Sequence, residues 1–297
     1  MDNGGTRGRS NFTNSMKVVS IGTDRNVFDT ESAVRSRLRK YAEKVSELHV
    51  VVFTTRKQRF SFERDGNLFL HPTNSLCKST ALLGGVRSIR RILKQDRGEG
   101  WVLSAQDPFE SGLVAWCARL RTEAGLHLQI HTDLYSPYFT STFLNRVRRI
   151  LAPLLIPRAQ AVRVVSERIK NSLLKRGVPA EKILVLPIYT DTKNIEQLFP
   201  RKDITENPRI LMISRLELEK RVLDGIKAFM LLKVEHPLAR LTIVGSGREE
   251  AGIKEFVRDL GLEKSVVFAD GNMMWLHTVK MLMFSCTQVH MKATDSY

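Results

Sequence analysis

The sequence predicts an α/β protein built from two Rossmann-like, doubly wound domains, the second incomplete. Apolar strand-like runs alternate with helix-patterned stretches from Met16 onward. Two of those runs, in Arg209-Ile-Leu-Met-Ile-Ser-Arg-Leu-Glu-Leu-Glu-Lys220 and Arg240-Leu-Thr-Ile-Val-Gly-Ser-Gly-Arg248, end in polar turns and flank a helical pattern from Val222 to Val234. A strand–helix–strand unit of this kind puts Ser214, Arg215, Lys220, Gly245, Ser246 and Gly247 at the carboxyl ends of neighbouring parallel strands, where open α/β sheets bind ligands.

The elements follow in order. Residues 1–15 have no apolar centre and read as a disordered leader. Lys17-Val-Val-Ser-Ile21 is the first strand, followed by the polar loop Gly22-Thr-Asp-Arg25-Asn26. Glu31 to Val45 sets Val34, Leu38, Tyr41, Ala42 and Val45 on one helical face. Leu48 to Phe53 is a strand, and Phe60 to Leu70 is a hairpin turning at Asp65-Gly66. Val86 to Leu93 reads as helix, Trp101 to Ser104 as strand and Gly112 to Arg121 as helix. Leu126 to Ile130 is a strand ending at His131-Thr-Asp133. Ala161 to Val165 and Ile183 to Leu186 are strands around the helix Ser166 to Lys175. The first domain thus covers 16–188. Residues 189–208, polar and with two prolines, are the connection. The second domain covers 209–271, with a helix from Glu249 to Leu260 and a strand from Val266 to Ala269; 272–297 follows no useful period.

Composition narrows the function classes. A 42% hydrophobic content fills real cores, and no run of about 18 apolar residues marks a membrane span. Cys77, Cys117 and Cys286 have no metal-ligand spacing and suit a reducing cytoplasm. The formal charge of +16 favours phosphates, anionic lipid or nucleic acid. Nucleic acid is disfavoured because the basic residues are not interleaved with aromatics and no known binding module is present. A bound metal is disfavoured too, since no Asp-x-Asp pair or His/Cys cluster offers ligands. No cofactor is expected.

On Ser214-Arg-Leu216 with Lys220, Leu223 to Phe229, His236-Pro237, Leu241 to Gly247 and Leu260 to Phe268, the chain resembles the retaining glycosyltransferases of family four (group 1), which have the GT-B fold. Gln106-Asp-Pro108, His131-Thr-Asp133 and Val164-Val-Ser166 fit the same pattern more loosely. The resemblance implies a hexosyltransferase that takes a UDP- or GDP-linked sugar and passes it, with retained configuration, to a polysaccharide or lipid-linked acceptor. It implies that Arg215 and Lys220 hold the donor diphosphate, with Ser214, Gly245, Ser246 and Gly247 beside the nucleotide. His131 and Asp133 would touch donor sugar and acceptor, and Gly22 and Arg25 would face an acceptor or a phosphate. The chemistry agrees for the cations, because charge builds on the diphosphate as the sugar leaves and fixed positive groups stabilise it most in the transition state.

Other readings stand beside these. Gly-Ser-Gly is also what a plain tight turn needs, and a histidine at a strand end is also an ordinary hydrogen-bonded structural residue. Ser141 to Ile156 carries Phe143, Leu144, Val147, Ile150, Leu151, Leu154 and Leu155 on one stripe with Arg146, Arg148 and Arg149 off it. That pattern fits a basic helix lying on an anionic membrane, and equally a helix against a core. A cytoplasmic enzyme, peripheral on the inner membrane face, accommodates both.

The expected continuation with a Glu-Gly-x-Gly turn is missing. Met291 is ATG and Lys292 begins AA, so the frame opening on the last base of Met291 encodes Glu; the same shift across Met281 to Phe284 permits Ala-Asp-Val eight residues earlier. Those are the residues the resemblance leads one to expect, so 272–297 reads as an out-of-frame tail. A chain without that glutamate could equally be an inactive nucleotide-sugar or polyanion binder. A nicotinamide dehydrogenase is the third reading, weakened because Ile21-Gly22 opens no Gly-x-Gly-x-x-Gly turn.

Overall fold

The computed structural model describes residues 16–188 and 207–269. The leader, most of the connection, and the segment to which the frame-shift expectation applies lie outside the described residues. The chain divides into two compact units, Met1–Ile188 and Tyr189–Tyr297.

The first unit is an eight-stranded sheet in the order β3-β4-β2-β1-β5-β6-β7-β8, with strands β1 (Lys17–Gly22), β2 (Glu47–Val52), β3 (Glu63–Asp65), β4 (Leu68–Pro72), β5 (Trp101–Ala105), β6 (Gly125–Ile130), β7 (Ala161–Val164) and β8 (Ile183–Val185). Only the short β3 runs antiparallel, as the return arm of the expected hairpin. The strands β1, β2 and β5 are mostly apolar because a parallel sheet is covered on both faces. Val19, Ile21, Val51, Leu103 and Leu128 are fully buried.

Helices α1 (Ala33–Ala42), α2 (Lys78–Leu93), α3 (Glu110–Arg119), α4 (Phe143–Leu155) and α5 (Glu167–Leu174) connect the strands. Their starts follow from short polar side chains: the hydroxyls of Ser32, Thr142 and Ser166 accept from the amides of Arg35, Asn145 and Ile169, which satisfies a donor that the first helical turn leaves open. Helix α2 begins eight residues before the expected Val86. The Cys77 amide donates to Thr80 Oγ1 at its start, and Gly84 and Gly85 lie inside it. A Cβ on Gly85 would come 2.9 Å from Phe53 Cε1, so the glycine, normally a helix breaker, lets the helix settle closely on β2's extension.

The order in which strands are added reverses between β1 and β5, which run parallel: β2 and β4 lie on one side of β1, while β5 to β8 lie on the other. Loops at the carboxyl ends of such a switch point diverge and leave room for a ligand. Gly22 and Gln106 sit there.

The second unit has a parallel sheet ordered β11-β10-β9, with β9 (Arg209–Ile213), β10 (Arg240–Val244) and β11 (Val266–Ala269). Helix α6 (Val222–Glu235) joins β9 to β10 and α7 (Glu250–Asp259) joins β10 to β11. Leu216, Ile226, Phe229, Leu241, Ile243, Ile253 and Val257 form its core.

Candidate functional site

In the second unit, the segments that leave β9 and β10 are tied together by main chain. Ser214 N donates to Val244 O at 3.1 Å, Leu216 N to Ser246 O at 2.9 Å, and Glu249 N to Leu216 O at 3.0 Å. This ladder continues the parallel pairing past the strand ends and brings Ser214, Arg215, Gly245, Ser246 and Gly247 into one neighbourhood. It also explains the glycines. A Cβ on Gly245 would lie 1.9 Å from Ser214 O, and one on Gly247 would lie 2.2 Å from Leu216 O. Gly245 also has φ +142, a conformation that side-chain-bearing residues rarely adopt. The physical demand on these two positions is loop against loop.

Arg215 and Lys220 project from the connection between β9 and α6. Both are exposed. A single turn of 3₁₀ helix, Leu218–Lys220, precedes Arg221 in a left-handed conformation (φ 50), and α6 starts at the next residue. The Arg215 guanidinium donates to Glu219 Oε1 at 3.0 Å, with the arginine side chain 70% exposed. Such a pair is weak in water and readily exchanges its carboxylate for a phosphate. Among the described residues, the Lys220 ammonium makes no hydrogen bond or ion pair. Sequence reading missed Glu219 as the resting partner of Arg215, although i,i+4 spacing was the available signal.

In the first unit, Gly22 is buried at the end of β1, and a Cβ there would meet Gln106 Oε1 at 2.3 Å. The glycine admits the Gln106 side chain, which follows β5. Arg25 is exposed on a short turn (Arg25–Phe28) capped by Asp24, and with Asp24, Asp29, Gln58 and Phe60 it lines an open groove. Two carboxylates beside one arginine make this groove poorly suited to a phosphate. The structure thus keeps Gly22 and Arg25 close in the chain but gives them different surroundings.

His131 directly follows β6 and is exposed. Its pKa is held below the usual imidazole value, first by partial desolvation and then by the Arg163 charge, with Asp107 pulling the other way. The ring is therefore neutral at physiological pH and able to share a hydrogen bond with a hydroxyl. Asp133 is largely occupied: Oδ1 accepts from Tyr135 N at 3.0 Å, and Arg168 Nε lies 3.8 Å from Oδ2. It shapes the turn that carries His131. Asp107 has a similar task at the start of α3, accepting from the amides of Phe109 and Ser111 and from Ser111 Oγ at 2.6 Å.

A polar ladder behind His131 was not anticipated. Arg163 on β7 donates to Gln129 Oε1 at 3.0 Å, Gln129 Nε2 donates to Ser104 Oγ at 3.1 Å, and Ser104 Oγ lies 2.9 Å from His127 Nδ1. The remaining Arg163 donors reach Leu186 O and Pro187 O. Ser104 registers with His127 and Gln129 with Arg163 across adjacent strands. Polar residues in otherwise apolar strands were the available signal, and their hydrogen bonds to one another make the burial tolerable.

A family model described as a glycosyl transferase 4-like domain matches residues 32–188, and one described as glycosyl transferases group 1 matches residues 194–282. No curated relative matches the chain significantly. Among solved structures, Anabaena Alr3699/HepE in complex with UDP and glucose aligns at 18% identity, covering 91% of this chain and 72% of that one, with a TM-score of 0.58. The apo lipopolysaccharide outer core galactosyltransferase WaaB aligns at 17% identity over 89% of this chain and 71% of that one, TM-score 0.55. A point mutant of S. aureus TarM in complex with Fondaparinux, alpha-GlcNAc-glycerol and UDP aligns at 15% identity over 67% of this chain, TM-score 0.52, and the aligned region spans 38% of that protein. At these identities the structural likeness speaks for the fold, GT-B.

Proposed function

We propose a function from one premise: the chain belongs to the glycosyl transferase 4-like family and joins that domain to a group 1 glycosyl transferase segment. The proposed activity is transfer of a hexosyl group from a UDP- or GDP-linked sugar to a glycan or lipid-linked acceptor, with retention of anomeric configuration and without a metal. The observation that carries this reading is the position of Arg215 and Lys220 just past the carboxyl end of β9, inside the group 1 match.

In this reading Arg215 leaves Glu219 and forks onto the donor diphosphate, and Lys220 adds a mobile point charge. As the bond from the anomeric carbon to the diphosphate oxygen breaks, the electron pair moves onto the diphosphate, and the two cations lower the energy of that charge. The acceptor hydroxyl attacks from the same face, and its proton passes to the departing diphosphate oxygen. Backbone of Ser214 and of Gly245 to Gly247 lies beside the nucleotide. Neutral His131, oriented by the Asp133 turn, hydrogen-bonds a sugar hydroxyl, while Gly22 and Arg25 flank the acceptor. The proposed setting is the cytoplasm.

Calorimetric titration of UDP, GDP and NAD, followed by transfer assays with labelled UDP- and GDP-sugars, tests the proposal. The expected result is binding of UDP or GDP, with Arg215→Ala and Lys220→Ala each weakening it by about tenfold, in line with losing one charge-assisted hydrogen bond. Unchanged binding and transfer in both variants would overturn the site assignment. Binding of NAD in place of either nucleotide would overturn the class.

A further inference from the structure

The apolar stripe of α4 divides in the structure. One side of the helix is moored to the first unit: Ala152 and Leu155 are buried, Leu151 packs on the main core, and Arg148 Nε donates to Glu110 of α3 at 2.9 Å. The other side stays in solvent. Phe143 is 80% exposed, Ile150 72%, Leu154 54% and Val147 45%. Their spacing of four, three and four residues forms one line along the outward face. The mooring fixes the helix rotation, so these side chains cannot turn inward.

Exposed Arg146 and Arg149 lie along one side of that line. No acidic residue occurs between Asp133 and Glu167, a stretch that contains five arginines. The outward face is therefore apolar along its centre, and the exposed charges that α4 itself adds beside it are cations. Two copies meeting through this face would bring like charges together, whereas an anionic bilayer complements both the cations and the centre. Among the described residues no helix is long and apolar enough to cross a membrane, so contact would be interfacial.

We propose that α4 is a membrane-docking surface, with Phe143, Val147, Ile150 and Leu154 entering the headgroup boundary of an anionic bilayer while Arg146 and Arg149 engage lipid phosphates. The surface needs no sugar chemistry and stands apart from the transfer reading; if both hold, it brings the enzyme to acceptors anchored in lipid.

Flotation of the purified full chain with vesicles tests it. Vesicles of phosphatidylcholine containing phosphatidylglycerol should bind the protein, pure phosphatidylcholine vesicles should bind it about tenfold more weakly, and added salt should release it. Phe143→Ser combined with Ile150→Ser should abolish binding with an unchanged melting profile, since both side chains are exposed. Arg146→Gln and Arg149→Gln should each weaken binding by about fivefold. Leu83→Ser, which removes an exposed leucine on α2, should leave it unchanged. Equal binding to neutral and anionic vesicles, or retained binding in the Phe143→Ser/Ile150→Ser variant, would overturn the proposal. So would a dimer in solution that the same double variant dissociates while wild-type protein ignores vesicles.

Discussion

Each unit opens its parallel sheet with a strand of similar sequence character, yet the two strands live in different surroundings. In β1, flanked by β2 and β5, Val19 and Ile21 are fully buried. In β9, which among the described residues pairs only with β10, Ile213 is 56% exposed and every other residue is at most partly covered. An apolar run can therefore announce a strand without announcing its burial; the number of neighbours decides that. The difference matters because the candidate donor cations hang from the less covered strand. Their loops are held by the main-chain ladder through Leu216 and Ser246, whereas the His131 loop rests on a sheet covered on both faces.

Five substitutions probe this contrast. The largest expected effect is on the buried strand: Ile21→Ala should cost about 4 kcal/mol, while Ile213→Ala should cost under about 1 kcal/mol, both measurable by denaturant unfolding. Comparable losses would show that β9 is covered as β1 is. Next is the ladder. Gly247→Ala forces backbone apart and should destabilise the second unit by about 2 kcal/mol, leaving first-unit amides unchanged in hydrogen exchange. Protection lost in both units would place the ladder in a shared core.

Acid should narrow the gap between the units. His49 Nδ1 lies 3.0 Å from His71 Nε2, and burial lowers both pKa values, that of His71 to about 4, with the His49 charge adding to the effect. His127 is also lowered by burial. A lowered imidazole pKa means the unfolded chain takes up protons first. The first unit thus keeps this stability above about pH 6.5 and loses it as the pH falls toward about 4. His71→Gln should flatten that slope in thermal melts taken across the window; an unaltered slope would remove His71 from the account. The smallest effect concerns Glu219. Glu219→Gln releases Arg215 from an exposed pair and should strengthen UDP or GDP binding by about two- to threefold in titration, whereas weaker binding would mean that Glu219 orients the arginine.

Much of the fold was legible because parallel strands are apolar on both faces and their helices are amphipathic. The start of α2 was not, since Ser79, Thr80, Gly84 and Gly85 look like loop, and only close approach to Phe53 and Ser75 makes those glycines favourable. Strand ends and motif single out Arg215, Lys220 and His131 as candidates, and the structure sets each at or just past a strand's carboxyl end. Gly245 and Gly247 are singled out too, but sequence could not separate a close nucleotide from a close backbone; the distances to Ser214 O and Leu216 O give the backbone its own sufficient reason. The Arg163–Gln129–Ser104–His127 ladder joins three strands through pairs 34, 25 and 23 residues apart in sequence, a separation that no local period can reveal. On α4 the stripe was plain, but which half faces the core depends on α3 and could only be seen once that helix was in place.

The loops after β9 and β10 are proposed to hold the diphosphate of a nucleotide sugar. Hydrogen-exchange mass spectrometry on the full chain, with and without saturating UDP or GDP, tests it most directly. Slower exchange is expected in peptides spanning Ser214 to Arg221 and Gly245 to Glu250, with both effects abolished together in Arg215→Ala/Lys220→Ala. Tight nucleotide binding that leaves both segments unchanged and protects only first-unit peptides would contradict it.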